Sequence, residues 1–120
     1  MPMSFYDRAG KAVAYTEDDV HIFLYTGYPV GYIADSSVYT YAGRHLGTIR
    51  SGWLRDHAGR SVFFTDEAVA AGGLELPEKQ VKPRKLIKKP KPPRGRREPA
   101  PLRAENGEGW SELPSDTFFY

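Results

Sequence analysis

Three histidines and the aspartates near them are the residues of this chain best suited to acid–base or metal chemistry. His21 follows Asp19 by two residues, His57 follows Asp56 directly, and His45 stands alone. Alternation along an extended segment puts Asp19 and His21 on one side, where they could form a weak metal site. The chain has no cysteine and no phosphate-loop, zinc-protease or serine-hydrolase motif. We therefore expect no catalytic residue, no metal and no cofactor, and a small hydrolase-like enzyme is the weakest alternative.

A run of basic residues is the second set with chemical potential. Residues 78–103 contain eleven basic and two acidic residues, whereas residues 1–77 carry a net charge of −3 and residues 104–120 a net charge of −4. Clustered lysine and arginine can bind nucleic acid or an anionic membrane surface with strong salt dependence. Residues 79–97 are therefore a possible polyanion-binding arm. Its candidate contacts are Lys85, Lys88, Lys89, Arg94, Arg96 and Arg97.

The basic run lies in a segment that cannot form a core. Residues 74–103 include seven of the ten prolines of the chain and few apolar residues. Such a composition predicts a disordered or polyproline II linker, because too little apolar surface is available to offset the cost of ordering. A solvated linker, an anion-binding arm and a proline-rich ligand for another protein are the open interpretations.

The last segment, residues 104–120, is acidic and aromatic. Trp110, Phe118 and Phe119 are large apolar side chains, and such side chains are seldom left exposed without a reason. They form a candidate docking motif. It could dock onto the N-terminal part of its own chain, onto a second copy, or onto a different partner.

The elements that must position these residues are set by four regularly spaced glycines. The spacings are 17, 16 and 16 residues, and each glycine lies between two short runs rich in aromatic and β-branched residues. A hairpin loop made of a type I turn and a G1 bulge needs a left-handed residue at its third position, which glycine adopts at least cost. Asp7 and Asp56 precede two of the loops and are predicted turn residues. The glycines are Gly10, Gly27, Gly43 and Gly59.

This loop type predicts the pairing within each hairpin. One face then consists of eight apolar residues, which we take as the core: Phe5 with Val13, Ile22 with Val30, Val38 with Leu46, and Leu54 with Val62. The opposite face places large rings beside small residues, among them Ala14, Gly31 and Gly47, with Phe63 at the fourth equivalent position. Strands are expected near 4–8, 11–16, 20–25, 28–34, 37–41, 44–50, 53–57 and 60–65.

The predicted fold is all-β. Four antiparallel hairpins in residues 1–73 form a shallow barrel with pseudo-four-fold symmetry, since a single hairpin is marginal in water and closure removes exposed edges. Equivalent positions just after the four loops form a rim that could bind an anion or remain solvated. They are Lys11, Tyr28, Arg44 and Arg60.

Several runs of this sequence resemble a known family. They are YDRAGKAVAYTEDDVHIFLYTGYPVGYI, SVYTYAGRHLG and GWLRDHAGRSVFFTDEA, with Trp110-Ser111 and Phe118-Phe119 near the end. Together they are similar to the bacterial four-fold β-flower family. The resemblance implies a shallow, symmetric, barrel-like arrangement of hairpins over residues 4 to 73. It implies no activity and no catalytic residues.

The repeat without a catalytic motif favours a non-enzymatic binding or interaction module. Its partner would be another protein or a second copy of the chain, with polyanion binding through residues 79–97 as the alternative. Removing residues 78–120 is then expected to leave the hairpins folded and to abolish partner binding. The N-terminus has no apolar secretion signal and no run is long enough to span a bilayer, so we expect a cytoplasmic protein.

Overall fold

The computed structural model describes residues 2–70, 75–101 and 109–119. Eight antiparallel strands follow one another around a closed barrel, and β1 pairs with β8 to complete it. The predicted all-β fold is confirmed, and each strand lies within two residues of its expected bounds. The strands are β1 Met3–Tyr6, β2 Ala12–Thr16, β3 His21–Leu24, β4 Pro29–Ala34, β5 Ser37–Tyr39, β6 His45–Arg50, β7 Trp53–Arg55 and β8 Ser61–Thr65. Among the described residues there is no helix long and apolar enough to cross a bilayer.

The four hairpin loops share one geometry. Their glycines have φ between 82° and 103°, and each glycine N–H donates to the carbonyl three residues earlier, at 2.9 to 3.0 Å. In the first loop the Oδ1 atom of Asp7 accepts the N–H groups of Ala9 and Lys11. Asp56 does the same in the fourth loop. Both carboxylates are therefore held by their own turns.

The pairing beyond the loops differs from the expected one by one residue. Tyr6 pairs with Ala12 as expected, but Phe5 pairs with Ala14 and not with Val13. The same register shift occurs in the other three hairpins. Each second strand contains a β-bulge, in which one extra residue opposes the partner strand and resets the alternation of faces. The predicted pairings of Phe5, Ile22, Val38 and Leu54 were therefore wrong, although all four are buried in the core.

The barrel has an apolar inner face and an aromatic outer face. The bulge residues Val30, Leu46 and Val62 lie in the core, as expected. Ala14 and Phe63 also lie in the core, although they were expected on the opposite face. The outer face is packed with rings in two clusters. They contain Tyr6, Tyr15, Phe23, Tyr25, Trp53 and Phe64, and Tyr32, Tyr39 and Tyr41.

Candidate functional site

Residues 75–101 form an extended strap that passes over the loops of the first three hairpins. The strap contains neither helix nor strand. Three of its backbone N–H groups, nine residues apart, donate to the carbonyls of the loop glycines. The bonds are Gln80 to Gly10 at 2.9 Å, Lys89 to Gly27 at 2.8 Å and Glu98 to Gly43 at 2.9 Å. The nine-residue step of the strap thus matches the step of 16 or 17 residues between hairpins.

The loop glycines also make room for the strap. A Cβ atom at Gly10, Gly27 or Gly43 would overlap a strap carbonyl oxygen. These oxygens belong to Glu78, Ile87 and Arg96, again nine residues apart. The absence of a side chain at these glycines therefore serves the strap contact as well as the left-handed turn.

Basic side chains of the strap lie over rings of the outer face with the same period. Cations within about 6 Å of a ring centroid are attracted to the ring face. One series consists of Lys79 over Tyr6 at 5.2 Å, Lys88 over Phe23 at 5.2 Å and Arg97 over Tyr39 at 5.3 Å. A second consists of Lys85 over Tyr15 at 4.4 Å and Arg94 over Tyr32 at 4.1 Å.

Carboxylates of the barrel form ion pairs with some of the same cations. Glu17 forms ion pairs with Lys88 and with Lys85, the latter at 3.3 Å. The hydrogen bond from Lys88 lowers the pKa of Glu17 and in turn raises the pKa of Lys88. Asp66 is 3.5 Å from the ammonium of Lys79. Sequence reasoning missed both carboxylates, because nothing in their local sequence marks them as strap contacts.

The described residues 75–101, for which the sequence predicts a disordered or polyproline II linker, are extended and lie against the barrel. As its composition predicts, the strap does not bury an apolar core. Its backbone N–H groups and its basic side chains nevertheless contact the barrel. Of the six candidate polyanion contacts, five lie over rings. They are Lys85, Lys88, Lys89, Arg94 and Arg97. The nine-residue spacing of the cations is visible in the sequence and is the signal that could have revealed the strap.

The structure separates His21 from the other two histidines. Its Nδ1 atom lies 2.7 Å from the Asp18 carboxylate, and Arg94 approaches its Nε2 atom at 3.2 Å. Burial would raise the pKa of Asp18, but hydrogen bonds from the His21 ring and from two backbone N–H groups outweigh it and lower this pKa. Both ring nitrogens of His21 thus have partners, and the described residues include no cluster of three potential metal ligands.

His45 and His57, by contrast, meet beside a cavity. The Nδ1 atom of His45 is 3.0 Å from the Nε2 atom of His57, and its own Nε2 atom is 3.0 Å from the Ser37 hydroxyl. Burial, followed by the neighbouring His57, lowers the pKa of His45. Ser37 is buried and is not among the described residues that line the cavity, so this arrangement does not present a serine nucleophile.

The cavity has a volume of about 680 Å³. It lies between the third and fourth hairpin loops, the strap and the C-terminal segment 109–119. Arg60 and Asp56 line it from the fourth loop, and Leu46, Leu113 and Phe118 provide apolar wall. No equivalent cavity was anticipated from the sequence, because three distant parts of the chain form it together.

The C-terminal segment packs against the barrel of the same chain. Trp110 contacts Trp53 and Phe64 at centroid distances of 5.7 and 6.3 Å. Phe118 and Phe119 are buried, and each lies 5.6 Å from Phe63. All three residues of the candidate docking motif are thus engaged with the barrel.

Comparison with known proteins agrees with this architecture. A family model described as "4-fold beta flower protein" matches residues 3–119. The match includes the strap and the C-terminal segment as well as the eight strands. No match to the chain was found among the curated proteins or the solved structures. Since the match covers almost the entire chain, the protein belongs to the 4-fold beta flower family.

Proposed function

We propose that the protein is a non-enzymatic interaction module whose barrel recognises extended, basic, proline-rich peptide segments. The observation that carries this proposal is the nine-residue register of strap 75–101 on the hairpin loops. In the structure, residues 75–101 of the same chain lie on this surface of the hairpin loops. A segment of another chain with the same spacing would make the same contacts.

Each of the first three hairpins offers the peptide three kinds of contact. The glycine carbonyl accepts a backbone hydrogen bond, the space over the glycine takes a peptide carbonyl, and the ring takes a cation. Backbone bonds give affinity to any extended peptide, whereas the ring and carboxylate positions select its side chains. Residues 1–74, which contain the barrel, include six basic and eight acidic residues, a net charge of −2, which complements a basic partner.

The prolines of the strap fit this mode of binding. Pro83, Pro90, Pro92 and Pro93 lie between the contact points and not at them. Proline has no backbone N–H to satisfy and favours an extended chain, so it lowers the entropy lost on binding. Self-association is the case in which the peptide is the strap of a second copy.

The test replaces the strap and leaves the rest of the chain in place. In a full-length variant, residues 75–101 become a glycine–serine linker of equal length, so that barrel and C-terminal segment stay joined. We expect a fluorescent synthetic peptide of residues 75–101 to bind this variant in trans, as measured by anisotropy.

Two controls separate recognition from simple charge attraction. A scrambled peptide of the same composition should bind about tenfold more weakly or worse, because its cations miss the rings and loops. The wild-type chain should bind the native peptide far more weakly than the linker variant, because its own strap competes at high effective concentration. Equal binding of the native and scrambled peptides would disprove the proposal.

Polyanion binding is the second candidate, and it rests on the basic side chains of the strap that do not lie over rings. Lys82, Arg84, Lys91 and Arg96 are exposed. A change of these four residues to glutamine should lower the salt concentration at which the full chain elutes from heparin, since each contact adds to the salt dependence. Elution at an unchanged salt concentration would exclude this role.

A further inference from the structure

The cavity between the third and fourth hairpins has the size and the lining of a small-molecule site. It is a partly open cleft of about 680 Å³, with Leu46, Leu113 and Phe118 on its apolar wall and His57 and Arg60 on its polar wall. Pockets of this size with a mostly apolar lining and a few convergent polar groups are typical of small-ligand sites.

The carboxylates beside the cavity are engaged by the protein itself. Asp56 accepts two backbone N–H groups of its turn through Oδ1, and its Oδ2 accepts the hydroxyl of Ser111 at 2.5 Å. Glu98 accepts the backbone N–H of His45 at 2.6 Å. Each is therefore already committed to an internal hydrogen bond.

Arg60 can still meet a ligand. Its side chain is 48% exposed, and its ion pair with Glu112 is long, at 4.0 Å, with the Glu112 side chain 93% exposed. Exposed pairs of this kind are weak and are readily exchanged for a better partner.

The histidine pair supplies a second donor. Its two rings share one hydrogen bond, between Nδ1 of His45 and Nε2 of His57, and His57 lines the cavity. In the tautomer in which the Nδ1–H of His45 donates to Nε2 of His57, the Nδ1 atom of His57 carries a hydrogen that can be donated to a ligand. The other ionisable groups that line the cavity are Arg44, Asp56, Arg60, Glu98 and Glu112.

We propose that this cavity binds a small molecule with one carboxylate on an apolar body. The carboxylate pairs with Arg60 and accepts a hydrogen bond from His57, and the body lies against the apolar wall. Glu98 of the strap also lines the cavity, but Arg60 and His57 belong to the fourth hairpin, outside the three strap contacts with loop glycines, so failure of this proposal would not bear on peptide recognition.

The experiment is calorimetric titration of the full chain with phenylacetate and with hexanoate, each compared with its neutral amide. We expect at least one carboxylate to bind, and its amide to bind about tenfold to a hundredfold more weakly, the usual effect of a lost charged hydrogen bond. No binding of either carboxylate, or equal binding of acid and amide, would overturn the proposal.

Variants at equivalent hairpin positions sharpen the test. Arg60→Gln should weaken binding about tenfold to a hundredfold, whereas Lys11→Gln, the same position in the first hairpin, should leave it unchanged. His57→Phe, which removes the ring nitrogens, should also weaken binding and should leave the far-UV spectrum of the barrel unaltered. An effect of Lys11→Gln equal to that of Arg60→Gln, or unchanged binding in His57→Phe, would contradict the assignment.

Discussion

At the residue scale, Asp66 joins the barrel wall to the start of the strap. Its carboxylate accepts the backbone N–H of Ser4 at 2.7 Å and the hydroxyl of Tyr6 at 3.0 Å, and it lies near Lys79. Burial opposes ionisation of Asp66, but these hydrogen bonds and the nearby lysines lower its pKa overall. Burial and Asp66 together raise the pKa of Tyr6 to about 12, so the neutral phenol remains the donor.

The charge of Asp66 should therefore stabilise the fold in a pH-dependent way. Because its pKa is lower in the folded state, the stabilisation is complete above the unfolded value of about 4 and is lost as the pH falls through the folded value. We expect Asp66→Asn to lower the free energy of unfolding by about 1 to 3 kcal/mol at pH 7. The difference from wild type should shrink in acid, as measured by urea denaturation.

The matched control for this prediction is Glu67→Gln, which removes the neighbouring exposed carboxylate. It should change the free energy of unfolding by less than about 0.5 kcal/mol. A loss in Asp66→Asn that stayed constant from neutral pH to strong acid would mean that the Asp66 charge is not its cause.

A glycine in a hairpin loop allows a second test at this scale. Gly27 has φ of 97°, and a Cβ there would overlap the Ile87 carbonyl. Gly27→Ala should lower the free energy of unfolding by about 1 to 3 kcal/mol through backbone strain and loss of the strap contact. Gly109 has φ of 82° with nothing within 4 Å of a Cβ, so Gly109→Ala should cost only the strain, about 1 kcal/mol. Equal losses in the two variants would argue against the contact.

At the element scale, the strap is a weakly held part of a firmly closed barrel. Its residues 81–100 are all exposed, and its contacts are backbone hydrogen bonds and surface cations. Segments with few buried apolar contacts open at low free-energy cost. The strap should therefore exchange its amide hydrogens faster than the strands it crosses.

A substitution at Glu17 tests this expectation in one part of the strap. Glu17→Gln removes the ion pairs with Lys85 and Lys88, and exposed pairs contribute about 0.2 to 1 kcal/mol each. The amides of Leu86, which donates to the Tyr25 carbonyl at 2.9 Å, and of Lys89 should then exchange about two- to thirtyfold faster. The amide of Glu98, bonded to the third loop, should be unaffected, and a uniform acceleration along the strap would contradict the local nature of the contact.

At the scale of the whole molecule, the end of the chain completes the core that the strands begin. Phe118 packs edge-on against Phe63, and Phe119 stacks on Phe63. The backbone N–H of Ser111 donates to the carbonyl of Ser61 in β8 at 2.7 Å. The packing thus predicts that removal of residues 78–120 lowers the stability of the hairpins, which the sequence predicts to stay folded without this segment.

A single substitution can measure that contribution. Phe119 is 4% exposed, and Phe119→Ala should lower the free energy of unfolding by about 3 to 5 kcal/mol, the usual cost of truncating a buried phenylalanine. Leu113 is 51% exposed, and Leu113→Ala should cost less than about 0.5 kcal/mol. Chemical denaturation followed by far-UV circular dichroism measures both, and a negligible loss in Phe119→Ala would show that the C-terminal segment is not part of the core.

The sequence by itself determined the repeat, the loops and the strands. The glycine spacing predicts the loops because only a residue that tolerates positive φ closes this kind of hairpin, and this requirement is local. Asp7 and Asp56 could be assigned to turns for the same reason. The bulge that moves Ala14 to the inner face was not predictable in this way, because it depends on how neighbouring hairpins close the barrel.

Only the tertiary structure decided where the histidines, the basic segment and the terminal aromatics lie. His45 and His57 meet because adjacent hairpins bring their loops together, while His21, on another hairpin, pairs with Asp18. The partners of the strap are hairpin loops and rings of distant strands, which its own composition does not reveal. Composition measures what a segment can bury by itself, whereas these cations and carbonyls gain partners only after the barrel has closed.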